Sequence, residues 1–100
     1  MLTVPLKAVP SQAVTVTLAG QNCQINVYQR FYGLFVDLYV DNALVIAGVL
    51  ALNLNKIVRS AYFGFSGDLA FVDTQGADDP SYSGLGSRFV LAYWDAGEMG

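Results

Sequence analysis

Leu34, Val36, Leu38 and Val40 alternate with Phe35, Asp37 and Tyr39, and the same two-residue period recurs in Val14, Val16 and Leu18 and again in Cys23, Ile25 and Val27. Such a period puts every second side chain on one face of an extended strand. A helix would need apolar residues three and four apart. Turn chemistry separates the runs: Ala19-Gly20-Gln21-Asn22, Arg30 to Gly33, and Asp41-Asn42. No stretch carries a convincing amphipathic helical pattern.

The run Ala43–Leu52 is apolar on both faces. It predicts a strand that is either central in its sheet or has one face against a partner. Gly48 within it marks a bulge or a close backbone approach. Asn53 to Ser60 is weakly patterned, with a short strand and a single helical turn both open. Tyr62–Phe65 and Leu69–Val72 read as two further strands around Ser66-Gly67-Asp68, and Arg88–Trp94 as the last. The sum is an all-β, small single-domain barrel or sandwich of about seven short antiparallel strands. Three parts are expected: an extended N-terminal arm over residues 1–12, a β domain over 13–94 with a long loop at 73–87, and a flexible tail at 95–100. Pro5 and Pro10 suit the arm, because proline does not fit a regular central strand.

A hydropathy window flags Leu34–Leu52, but Asp37 and Asp41 lie inside it. Each would cost about 2.5–3.5 kcal/mol near the centre of a membrane helix. The run free of polar side chains, Ala43–Leu52, is too short to span as a helix. Met1 to Pro5 also lacks the basic start and apolar stretch of a signal peptide. The expectation is a chain with no membrane span, soluble alone or within an assembly.

Composition narrows the chemistry. The chain has no histidine and one cysteine, Cys23. An imidazole base, a Ser-His-Asp triad, a His-containing zinc site and an intrachain disulfide are thereby excluded. Cys23, inside an alternating run, reads as a small buried hydrophobe. Asp73, Asp78 and Asp79 lack the spacing of a calcium loop, and Asp78-Asp79-Pro80 is ordinary turn chemistry. Gly84-Leu85-Gly86-Ser87-Arg88 looks like a fragment of a phosphate loop but lacks its lysine and a following helix. Asp37 and Asp68 are expected on a solvent face or paired with arginine rather than as an acid–base pair. No catalytic, metal or cofactor-binding residues are assigned, and a non-catalytic domain is expected.

Net charge is −3, with Lys7, Arg30, Lys56, Arg59 and Arg88 scattered among more acids. That pattern disfavours nucleic acid, which needs a basic field. Only 13% of residues are charged, against about 25% in a typical soluble domain. The apolar excess must fill an unusually dense core or lie against something else, and association is the expectation.

Three segments, VPLKAVPSQ (Val4–Gln12), YQRFYGLFVDLYVD (Tyr28–Asp41) and FVDTQGADDPSYSGLGSRFVLAYW (Phe71–Trp94), resemble the small baseplate plug proteins of contractile-tailed bacteriophages, the cyanophage type. The resemblance runs in order over nearly the whole chain. It implies a structural component of the virion tail baseplate, made in the bacterial host cytoplasm. Such a component plugs or bridges the central hub where tail tube meets spike. The implied partners are other hub, spike and tail-tube proteins, with several copies in a symmetric ring. No catalytic, metal or cofactor residues come with it. From loop length and expected exposure, the contact residues are Leu2, Val4 and Leu6 on the arm and Asp78, Asp79, Tyr82 and Leu85 in the loop. The alternative from another class is a small ligand- or oligonucleotide-binding β-barrel, with Phe35, Tyr39, Phe63 and Trp94 lining a cavity.

Overall fold

In the computed structural model, which describes residues 2–18, 20–31, 33–58 and 67–94, the alternating runs become a four-stranded antiparallel meander. Its strands are β2 (Ser11–Leu18), β3 (Gln21–Arg30), β4 (Gly33–Val40) and β5 (Ala43–Leu50), in spatial order β2-β3-β4-β5. Asp41 and Asn42 turn the chain between β4 and β5 with φ of 51° and 67°. Positive φ at both central residues is the mirror-image turn that matches the twist of a two-residue hairpin. A second antiparallel sheet has the order β1-β7-β6, built from β1 (Leu2–Val4), β6 (Asp68–Asp73) and β7 (Phe89–Trp94). A 3-10 turn at Tyr82–Gly84 interrupts the loop between β6 and β7.

The two sheets share one core. Cys23, Ile25 and Val27 from β3 and Leu34, Val36 and Leu38 from β4 are buried with Val4, Leu69, Phe71, Leu91 and Tyr93 from the second sheet. Each large apolar side chain fully removed from water contributes about 1.5–3 kcal/mol. The sheets stay separate, so of the two architectures open from the sequence the chain adopts the sandwich and not the closed barrel.

β5 corrects one expectation. It is an edge strand, not a central one, and Leu44 on it is 56% exposed. The register slips twice along the β4–β5 pair, from Val36↔Val49 to Leu38↔Ile46 and then to Tyr39↔Leu44, so β5 carries extra residues against β4. Gly48 adopts φ 66° at the first slip, and its N–H donates to Asp37 Oδ1 at 2.8 Å. The bulge read from Gly48 is thus present. It breaks the ladder, which is why an apolar run ends a sheet here instead of filling its middle.

Within residues 1–12, Leu2–Val4 joins the chain's own sheet through β7, and Ser11 and Gln12 already belong to β2. Residues 53–57 form neither a strand nor a helical turn. They run as a strap along β6, with one bridge Asn53↔Phe71 and N–H groups of Leu54 and Ile57 donating to Phe71 O and Leu69 O. The expected strand Tyr62–Phe65 and the tail 95–100 lie outside the described residues.

Asp68 is not on a solvent face. It is 3% exposed, and its Oδ1 accepts the N–H groups of Val58 and Leu69 at 2.8 and 2.7 Å. The carboxylate ties the strap to the first residues of β6. Gly86 is held elsewhere by close approach: its φ is 82°, and a Cβ would stand 2.3 Å from Leu6 O. Asp68→Ala strands the Val58 N–H in the interior, and the expected loss is about 1–3 kcal/mol. Gly86→Ala is expected to cost more than about 1 kcal/mol through clash and disfavoured φ. Urea denaturation of each variant against the parent chain measures both.

Candidate functional site

One end of the sandwich gathers most of its loops. β2 begins there, the β3–β4 hairpin turns there and β5 leaves there, because Ser11 pairs with Tyr28, and Phe35 with both Tyr28 and Leu50. The loop between β6 and β7 opens at the same end. The Tyr82 N–H donates to Gln29 Oε1 at 3.2 Å, and the Gln29 N–H donates to Pro10 O at 2.7 Å. Gln29 therefore joins the arm, the hairpin and the long loop.

The long loop is shaped by one carboxylate. Asp73 ends β6 with its side chain fully buried. Its Oδ1 accepts Arg88 Nε at 2.9 Å and the Gln75 N–H at 2.9 Å; its Oδ2 accepts Arg88 Nη2 at 2.8 Å and the Asp78 N–H at 2.9 Å. The two Arg88 contacts form a fork-to-fork ion pair, the geometry guanidinium and carboxylate share. Arg88 Nη2 also reaches Asp78 Oδ2 at 2.7 Å. At the loop base the Thr74 N–H and hydroxyl both donate to Arg88 O. Asp79 Oδ1 accepts the Asn53 N–H, and Asn53 Oδ1 accepts the Asp73 N–H, which fastens the loop to the strap.

This arrangement answers two readings of the loop. Arg88 occupies the space between Asp73 and Asp78 that a cation would need. The glycines near it serve packing, since a Cβ on Gly84 would stand 2.6 Å from the Phe89 ring. Arg88 is thus committed to carboxylates and not presented to a phosphate.

The residues expected to make contacts divide. Val4 and Leu85, 2% and 3% exposed, lend their side chains to the chain's own core, and Leu6 packs partly against it. Leu2, Asp78, Asp79 and Tyr82 are exposed, Leu2 at the start of β1 and the other three on the loop. Besides Leu44 on β5, three exposed apolar residues are not marked by the sequence reading: Val9, Phe31 and Leu54. Phe31 stands at the hairpin tip, 95% exposed. Leu54 is 63% exposed and holds φ 63°, a conformation unfavourable for a branched side chain. An aromatic residue inside the predicted turn Arg30–Gly33 was the available signal for Phe31; nothing local marked Leu54. With Tyr82, these place four of the six large exposed hydrophobic side chains among the described residues at or beside the loop end.

The outer face of the four-stranded sheet is polar and open. Tyr28 stacks near Phe35, with ring centroids 6.0 Å apart, and donates its hydroxyl to Asp37 Oδ1 at 2.8 Å. Burial, and then the bond to Asp37, push the Tyr28 phenol above its usual pKa. Two shallow grooves cross this face, one by Thr15, Thr17, Gln24 and Asp41, the other by Ser11, Asn26, Tyr28 and Arg30. Neither holds the Phe35, Tyr39 and Trp94 rings that a ligand barrel would require. Cys23 faces the core, and burial pushes its thiol up, away from reactivity.

The structure is thus a charge-poor β-sandwich whose loop end is braced by an ion pair and carries exposed apolar residues. The chain belongs to the cyanophage baseplate Pam3 plug gp18 family, whose match covers residues 1–96. No curated protein matches the chain. Its place is the virion tail baseplate, as a plug protein of a structural family. Among the described residues, no helix is long and apolar enough to cross a membrane.

The Arg88 fork and the two backbone N–H donors hold the Asp73 carboxyl well below the usual carboxylate range, against an opposing effect of burial. A depressed folded pKa gives stability that is present above the unfolded pKa, about 3.9. It is lost progressively as pH falls below that value, since the unfolded chain then takes the proton first. Asp73→Asn is expected to melt lower than the parent at neutral pH and to show a flatter fall in Tm between about pH 5 and pH 2. Thermal melts followed by circular dichroism across that range check the sign.

Proposed function

We propose that this plug closes the central hub of the baseplate where tail tube meets spike. It packs its loop end against neighbouring hub, spike and tail-tube proteins, in several copies around the axis. The carrying observation is the cluster of Val9, Phe31, Leu54 and Tyr82 at or beside one end, braced by Asp73, Arg88 and Gln29. A projecting aromatic ring on a rigid support suits an interface anchor, because little side-chain freedom is lost when it is buried. Asp78 and Asp79 supply a polar rim, and Leu2 a separate exposed apolar contact on β1. The work is assembly; no reaction, metal or cofactor takes part.

Phage carrying Phe31→Ser together with Tyr82→Ser test this reading. Buried aromatic anchors contribute about 2 kcal/mol or more each. The variant chain is expected to fold, by circular dichroism, but to be missing from purified tails, with a fall in infectious titre. Normal incorporation and titre would overturn the proposed contact end. Leu44→Ser, on β5 beyond that end, is expected to leave both unchanged.

A further inference from the structure

The four lateral edges of the two sheets are not alike. β1 is three residues long, β6 is lined by the strap 53–57, and β5 is bulged twice with Gly48 at positive φ. Short length, covering and bulging are the ordinary ways of stopping an edge from pairing with another chain. Among the described residues, β2 has none of them. Its eight residues, SQAVTVTL, hold an unbroken register with β3 from Ser11↔Tyr28 to Leu18↔Gln21, without proline, charge or bulge.

The hydrogen-bond phase shows what that edge offers. The Gln29 N–H donates to Pro10 O, so positions 10 and 29 form a directly bonded pair. In an antiparallel ladder bonded and non-bonded pairs alternate. Gln12, Val14, Val16 and Leu18 therefore turn their backbone groups toward β3. Ser11, Ala13, Thr15 and Thr17 turn theirs outward, and all four are exposed.

We propose that β2 pairs antiparallel with β2 of a second copy of this chain, about a two-fold axis at Val14, joining two four-stranded sheets into one. With the axis at Val14, Ser11 faces Thr17 of the other copy, and Ala13 faces Thr15. Every outward N–H and C=O of the four residues then has a partner. On the outer face only small and hydroxyl side chains meet. On the inner face the half-buried Val14 side chains of the two copies meet, and Gln12 meets Val16. Charge points to a second copy as the occupant. Lys7, whose backbone N–H and C=O bond the Gln12 side-chain amide, lies near the start of β2, whereas Asp41 lines one groove with Thr15 and Thr17 at the other end. The two-fold therefore sets the basic end of one copy beside the acidic end of the other. This surface is distinct from the loop end, so the proposal stands or falls apart from the hub contacts.

Sedimentation velocity of the purified full chain over a wide concentration range is the test. The parent chain is expected to reach twice the chain mass. Thr15→Pro removes one outward N–H and leaves the β3 ladder intact, so it is expected to stay at the chain mass with parent-like circular dichroism. Should that variant misfold, lysine pairs replace it. Ala13→Lys with Thr15→Lys opposes like charges across the two-fold and is expected to be monomeric; Ala13→Lys with Thr15→Glu opposes unlike charges and restores the dimer. A parent chain monomeric throughout leaves the edge to a strand of another protein and overturns the proposal. So does a dimer indifferent to both lysine and proline variants, which would place the contact elsewhere, the Phe31 and Tyr82 end included.

Discussion

Asp73 is buried without leaving its charge uncompensated, and the loop end depends on that. A lone carboxylate in this position would carry a desolvation cost of several kcal/mol. Arg88 meets it with two parallel bonds, and two backbone N–H groups complete its shell. Because Asp73 closes β6 and Arg88 immediately precedes β7, the ion pair sits at the mouth of the loop between β6 and β7. That loop is therefore a braced structure from which Asp78, Asp79 and Tyr82 project. In a chain with 13 charged residues per hundred, such a contact stands out against a background of apolar packing.

The sandwich also shows a contrast between covered and open surface. β3 and β4, with partners on both sides, carry the densest inward rows. The apolar excess of β5 does not mark a central position. It marks an edge kept from pairing by its own irregularity, with the Asp37 carboxylate occupying the Gly48 N–H. Asp37 thus links an outer-face tyrosine to the bulge, where the sequence leads to a solvent face or an arginine pair.

The aromatic side chains divide along the same line. Phe71, Phe89 and Tyr93 fill the core, while Tyr28 and Phe35 stack on the outer face. Phe31 projects at the hairpin tip, and the chain belongs to a family of baseplate plugs.

Strand phase in β2, β3 and β4, the hairpin at Asp41-Asn42 and the bulge at Gly48 were legible in the sequence, because each depends on a local rule of alternation or backbone preference. Of the residues expected to make contacts, exposure was legible only in part. Asp78, Asp79 and Tyr82 follow from loop composition, but Val4 and Leu85 look as contact-prone as Leu2 until a second sheet covers them. Phe31 and Leu54 gain meaning from neighbours far along the chain, through Gln29, Tyr82 and Asn53. The sequence by itself determined an all-β domain without imidazole or intrachain disulfide, since residue identity and two-residue period need no partner to be read. Tertiary structure alone decided sandwich over barrel, edge over centre for β5, and burial for Asp68, because each turns on which distant strand lies alongside. Local alternation says which face is apolar; only packing says what covers it.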